Sequence, residues 1–313
     1  MDPLKTFLSR NKPLVGLVLL MAAVSLLSPS FLTVDNLLNI LRQTSINAVI
    51  AVGMTFVILS AGIDLSVGSV LALCGAVCAS LIGADVNLWL AIVLALALGA
   101  GLGAANGIAV GIGGVQPFIA TLVSMTILRG ATLVYTDGRP ITTGDGAAAD
   151  AFWSVGGGYV LGLPVPVLVA ALVFALGAVV LTLTRFGRYT YAVGGNEVVA
   201  RLSGIGVNRV KTAVYALSGL LAALAGVILT ARLESAQPTA GTSYELDAIA
   251  AVVVGGTSLS GGRGTLFGTL VGALIIGVLN NALNLMDVSS YYQMIAKGAV
   301  ILLAVLLDRR KTH

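Results

Sequence analysis

The sequence predicts an all-α integral membrane protein with about ten transmembrane helices and both termini cytoplasmic. Three observations predict it. First, of 313 residues 58% are apolar and 10% charged, with a mean hydropathy of +1.02, whereas a soluble domain carries about 25% charged residues. Second, the charge-free stretches are long: Val86 to Leu128 holds 43 residues without an ionisable side chain. Third, Lys and Arg gather in alternate connections. So few charges cannot clothe a soluble chain of this size, which excludes an ordinary cytosolic enzyme, a disordered chain and a nucleic-acid binder. A span needs about 20 residues and a short connection roughly 10, so the length accommodates ten spans in a single polytopic domain, 1–313.

The elements follow in order. Leu14 to Leu27 comes after Lys5, Arg10 and Lys12 and is followed by Ser28-Pro-Ser-Phe31 rather than a small-residue cleavage pattern, so it reads as a retained first helix. Val34, Leu37, Leu38 and Leu41 share one helical face while Asn36 and Asn39 lie off it, which predicts a short interfacial helix over 34–42 at the outer surface. As one helix, the stretch from Val86 would be over ~60 Å long, about twice the hydrocarbon core. Gly111-Ile-Gly-Gly-Val-Gln-Pro117 is where it breaks. The same reasoning places helices at 14–31, 43–60, 67–83, 88–110, 117–135, 163–184, 212–232, 245–259, 265–285 and 290–307.

Orientation follows from the cations. With the N-terminus inside, the inner segments hold Lys5, Arg10, Lys12, Arg185, Arg188, Arg201, Arg209, Lys211, Arg263, Arg309, Arg310 and Lys311, twelve of the 17 basic residues. Arg42, Arg139 and Arg232 fall outside, with most of the acids. This is the positive-inside pattern. Two connections are large: an outer one, 136–162, rich in Gly, Ala and Asp, and an inner one, 185–211. Repetition is faint; Asn47-Ala-Val-Ile-Ala-Val-Gly53 is similar to Asp247-Ala-Ile-Ala-Ala-Val-Val253.

No catalytic, metal or cofactor constellation is present. The one His is His313, and no Gly-x-x-x-x-Gly-Lys-Ser/Thr phosphate loop occurs. Leu259-Ser-Gly-Gly-Arg263 mimics an ATPase signature but reads as a tight inner turn between two membrane helices. Cys74 and Cys78 lie one helical turn apart in an apolar run and read as packing. The spans do carry uncharged hydrogen-bonding groups: Gln43, Thr44, Ser45, Asn47, Asn106, Gln116, Thr121, Ser124, Asn280, Asn281 and Asn284. An unpaired amide in lipid costs several kcal/mol, so each faces another helix or a wet pathway. As a set they suit a polar, uncharged solute such as a sugar; an ion route would show several embedded carboxylates. Asn47, Asp64, Asn106, Asn280, Asn281 and Asn284 are the candidate pathway or gate residues. Asp64 is expected at the inner end of the second helix, where Asp64 or Ser66 caps the third. Arg129 is expected to snorkel outward, and Lys297 to pair with Glu245 or Asp247.

The inner connection contains a short helical segment, Asn196 to Leu202, with Asn196 as N-cap and Glu197 at the positive helix end. Leu202, Ile205 and Val207 are apolar there, which points to docking. The chain resembles the membrane permease subunits of bacterial sugar-importing ABC transporters. The resemblance rests on Gly62-Ile-Asp-Leu-Ser-Val-Gly-Ser69, Pro117-Phe-Ile-Ala-Thr-Leu122, Gly194-Gly-Asn-Glu197 with Leu202-Ser-Gly-Ile205, Tyr244 to Val252, and Gly255 to Gly262. Ser289-Ser-Tyr-Tyr-Gln-Met294 and Ser235 to Gly241 resemble the ribose-carrying branch, with another pentose or a hexose as the alternative cargo and an ion-coupled carrier as the alternative class. The resemblance implies a non-catalytic permease of the bacterial inner membrane that works as a homodimer in membrane lipid. It also implies a periplasmic sugar-binding protein and a cytoplasmic ATPase subunit with two fused ATPase domains. The ATPase-docking pattern Glu-Ala-Ala-x-x-x-Gly is altered here: Glu197-Val-Val replaces its start and Gly204 comes one position late. The coupling residues so implied are Asn196, Glu197, Arg201, Leu202, Gly204 and Ile205. The 136–162 loop, the 233–244 loop and the 34–42 helix are expected to form the landing surface for the binding protein.

Overall fold

A chain this apolar has to satisfy its backbone groups internally, and helices do so residue by residue. The computed structural model describes residues 12–289, 291–296, 298, 299 and 302, and these are mostly helical. The order is α1 (Lys12–Leu27), α2 (Val34–Leu59), α3 (Val67–Gly83), α4 (Leu88–Gly111), α5 (Pro117–Thr136), β1 (Ile141–Thr142), α6 (Ala147–Gly157), β2 (Tyr159–Val160) and β3 (Leu163–Pro164). It continues with α7 (Val165–Leu183), α8 (Arg185–Gly195), α9 (Glu197–Leu202), α10 (Val207–Leu233), β4 (Ser235–Ala236), α11 (Tyr244–Val254) and α12 (Leu266–Leu285). Among the described residues, six helices (α2, α4, α5, α7, α10 and α12) are long and apolar enough to cross a membrane, and α1 and α3 are shorter apolar helices. The protein is an all-α, multi-pass membrane protein.

Helices α2 and α10 form the centre, with most of their spans buried, while α4, α5 and α7 leave most of theirs exposed. The tightest packing joins α4 to α10. Gly99, Gly103, Gly107 and Gly111, four apart, face Gly219, Tyr215, Thr212 and Asn208, so the two helices run antiparallel. A Cβ on Gly103 would overlap the Tyr215 carbonyl; small residues at this spacing let helix backbones meet where lipid supplies no hydrophobic drive. Cys74 and Cys78 are buried in α3, unbridged, as packing residues would be.

Several expected elements differ. The 34–42 segment is not a separate interfacial helix: it is the first third of α2, continuous over 26 residues, because nothing between Asn39 and Asn47 breaks the helix. The outer loop contains α6, which buries Phe152 and seats Gly156 on the backbone of α10 at Ile228 and Arg232. The inner connection is helical from Arg185, so α8 precedes the expected short helix. The eighth expected span, 245–259, is only the 11 residues of α11, ~16 Å long, about half the hydrocarbon core. Gly255 follows it, Gly256 takes φ +92°, and the non-helical chain up to Thr265 then packs among α2, α8 and α12. Gly255 and Thr257 are buried there, while Gly256, Ser260, Arg263 and Thr265 are exposed, and irregular backbone is tolerated where it is covered by protein or meets water.

Candidate functional site

A cavity of about 290 Å³ lies where α2, α10, α11 and α12 meet. Thr44 and Asn47 reach it from α2, Arg232 from the end of α10, Tyr244 and Asp247 from α11, and Asn280 and Asn284 from α12. Asn47 Nδ2 donates to Asp247 Oδ2 at 3.2 Å, and Gln293 Nε2 to Asn284 Oδ1 at 2.8 Å. Thr44 Oγ1, Asn47 Oδ1 and Asn280 Oδ1 are buried with no hydrogen-bond partner. An orphaned buried polar atom costs about 1–3 kcal/mol, so three at one cavity call for a partner in it. Gly277 keeps the space open, since a Cβ there would overlap Thr44 Oγ1.

The other three candidate pathway residues sit elsewhere, in saturated contacts. Asp64 is fully buried in the segment between α2 and α3. Its Oδ1 accepts from the Ser66 N–H (3.0 Å) and hydroxyl (2.6 Å), its Oδ2 from the Ser218 hydroxyl (2.8 Å), and Asn106 Nδ2 donates to Ser66 Oγ (2.9 Å). Neither residue caps α3 by its side chain; the serine hydroxyl is taken by Asp64 instead. Gly53 also abuts Ser218, so the chain doubles back after Leu59 and Asp64 lies alongside α2 rather than at its end. Asn281 exchanges two amide hydrogen bonds with Asn36 of α2, at 2.8 and 3.1 Å.

In the inner connection, Asn196 Oδ1 accepts from the Val199 N–H at 3.0 Å, the expected cap of α9. Glu197 bridges Lys211 (2.6 Å) and Arg201 (3.1 Å). The hydrogen bond from Lys211 is the main cause that holds the Glu197 carboxyl below its usual value, against the opposing effect of partial burial. Gly204 takes φ +81°, letting the chain leave α9. Leu202 is 83% exposed, and Val198 and Val199 are exposed beside it, whereas Ile205 is half-buried against the core. The exposed apolar face is therefore Val198, Val199 and Leu202, and Ile205 does not belong to it.

At the opposite end, β1 pairs antiparallel with β4, Ile141 against Ala236, and Arg42 Nη1 donates to the Tyr159 hydroxyl at 3.4 Å. The three segments expected to form one outer surface thus meet. Arg129 does not snorkel: Nη1 donates to the Pro238 and Ala240 carbonyls at 2.8 and 2.9 Å, pinning the segment that leads into α11. Lys297 lies outside the described residues.

Residues 36–305 match the family model described as branched-chain amino acid transport system / permease component. The chain belongs to this permease family. Relatives include the ribose import permease proteins of Haemophilus influenzae (63% identical, covering 96% of this chain and 94% of the relative) and Escherichia coli K12 (61%, 98% and 96%). The ribose import permease protein of Bacillus subtilis is 60% identical, covering 96% of this chain and 92% of its own. No solved structure matches the chain.

Three residues at the permease's cavity escaped the sequence reading as site residues. Arg232 looks like a helix-end charge facing water, Asp247 like a partner for Lys297, and Tyr244 like one more aromatic at an outer surface. The opening residues of the two similar stretches, Asn47 and Asp247, touch in the cavity.

Proposed function

We propose that this permease is the transmembrane subunit of an ATP-driven ABC importer that carries D-ribose into the cytoplasm by alternating access. The observation that carries the reading is the cavity with its unpaired Thr44, Asn47 and Asn280 oxygens. Sugar hydroxyls are neutral donors and acceptors, and the cavity's amide and hydroxyl groups match them, beside Arg232 and Asp247, which also line it. The ribose import relatives support ribose as the cargo. Asn47, Asn280 and Asn284 are the pathway residues in this reading; Asp64, Asn106 and Asn281 hold helices together.

The working unit is a single polytopic domain, 1–313, paired with a second copy in the inner membrane. Ten crossings, with both termini cytoplasmic, follow if α11 and the segment 255–264 together make the eighth. A periplasmic sugar-binding protein lands on the surface joined by β1, β4 and the outer end of α2. The chain holds no phosphate loop, so energy enters through α8–α9, where an ATPase subunit with two fused domains docks. Asn196, Glu197, Arg201 and Gly204 shape α9, and Leu202 fills an apolar cleft on that partner, a burial worth about 1.5–3 kcal/mol.

The test is uptake of labelled sugars into vesicles holding the permease, ATPase and binding protein. ATP-dependent ribose uptake is expected, with Leu202→Asp abolishing both uptake and co-purification of the ATPase while the permease stays in the membrane. Uptake driven by an ion gradient without the ATPase, or equal transport of unrelated hexoses, overturns the reading.

A further inference from the structure

The Leu259-Ser-Gly-Gly-Arg263 turn is absorbed neither by the cavity nor by the docking face, yet its backbone is locked to both. The Gly262 N–H donates to the Leu59 carbonyl, the last residue of α2, at 2.9 Å. A Cβ on Gly194, in the last turn of α8, would overlap the same Leu59 carbonyl and come within 2.7 Å of the Gly262 nitrogen. Gly262 itself takes φ +70° and lies against the Gly195 backbone, while Gly261 lies against Ala61 and the Gly194 carbonyl. One side chain fastens the joint: the Tyr191 hydroxyl of α8 donates to the Gly264 carbonyl at 2.8 Å.

Every element entering this joint leads to a functional part. Helix α8 runs into α9 and its exposed apolar face. Helix α2 carries Thr44 and Asn47. The turn connects α11, with Tyr244 and Asp247, to α12, with Asn280 and Asn284. Three backbones touch with no flexible side chain between them, and close-packed interiors transmit displacement rather than absorb it.

We propose that this joint passes motion of α8–α9 to both walls of the cavity, with Tyr191 as the positioning residue that keeps the turn engaged. The proposal rests on the reading that α8–α9 receive the ATPase. It predicts a defect in coupling rather than in assembly: ATP is hydrolysed, but the cavity walls no longer follow.

The experiment measures sugar uptake and ATP hydrolysis in the same vesicles, using permease complexed with its ATPase and binding protein. Tyr191→Phe removes only the hydrogen bond, and Gly194→Ala wedges the joint apart. Gly195→Ala is the control, because a Cβ there meets nothing within 4 Å. Tyr191→Phe is expected to retain the ATPase and its hydrolysis while sugar moved per ATP falls several-fold. Gly194→Ala is expected to fall further, and Gly195→Ala to match the unaltered protein. If Gly194→Ala fails to fold, Tyr191→Phe still decides. An unchanged ratio in Tyr191→Phe, or an equal fall in Gly195→Ala, overturns the proposal alone. Full ATPase retention by Leu202→Asp removes the docking reading, and this proposal with it.

Discussion

Two polar clusters lie against α10, and they differ in how fully their groups are paired. Around Asp64 both carboxylate oxygens have partners, the Ser66 and Ser218 hydroxyls donate to them, and Asn106 Nδ2 donates to Ser66 Oγ. Around Asn47 and Asn280 three polar atoms are left without a partner, on residues that line a cavity. Both hold amides, hydroxyls and one carboxylate, and the cavity adds the Arg232 guanidinium. A saturated cluster has nothing left to offer a solute and acts as glue. An unsaturated one that pays a standing cost in the empty state recovers it when a solute arrives. Polarity inside a membrane protein therefore does not mark a pathway; unspent hydrogen-bonding capacity beside a cavity does.

The sharpest way to break this distinction is at Asp64. Asp64→Leu would orphan the Ser66 N–H and the Ser66 and Ser218 hydroxyls at about 1–3 kcal/mol each, a large part of an ordinary stability of about 5–15 kcal/mol. The variant should fail to accumulate in the membrane or melt far lower in detergent. Normal yield and melting would show that the cluster is not structural.

Asn280→Ala should do the reverse. It removes an acceptor that has no partner in the empty protein, so the melting temperature should hold. Uptake with saturating binding protein should fall roughly three- to tenfold, the worth of one hydrogen bond. A stability loss with unchanged uptake would move Asn280 into the structural class. Asn281→Ala, one residue along, tests the contrast at close range. It breaks the reciprocal pair with Asn36 and should lower stability by about 1 kcal/mol, leaving uptake per folded molecule unchanged.

The smallest effect concerns Glu197. Its carboxyl is held below the ordinary 4.5 by Lys211 and Arg201, so its contribution is complete above that value and is lost as pH falls through the depressed one. Hydrogen exchange of α9, corrected for intrinsic rates, should be constant from neutral pH down to about 5 and rise only in more acid solution. Glu197→Gln should show the acid behaviour at neutral pH. Exchange identical to the unaltered protein would make the bridges incidental, as exposed pairs often are.

Long apolar runs, the break at Gly111 to Pro117 and the α9 cap were legible because each depends on near neighbours in the chain. The fusion of 34–42 into α2 was less so: an amphipathic turn at an interface and the wet end of a long helix have the same composition. The half-length α11 was hidden because hydropathy continues smoothly across Ala248 to Val254, while the stop comes from Gly255 seated on Gly268 and from Gly256 at φ +92°. Arg129 was misread because snorkelling is the local solution for a cation near a helix end, whereas the carbonyls it finds belong to a segment over 100 residues away.

The sequence by itself determined the solvent, the helical class, the family resemblance and the identity of the polar residues that had to find partners. Those follow from transfer free energy and from spacing along one chain. Only the tertiary structure decided which partners were found. It closed the bonds of Asp64, Asn106 and Asn281, left those of Thr44, Asn47 and Asn280 open, and brought Gly194, Leu59 and Gly262 into one joint. Hydrogen bonds saturate within about 3 Å, and which groups come that close is set by how the helices pack.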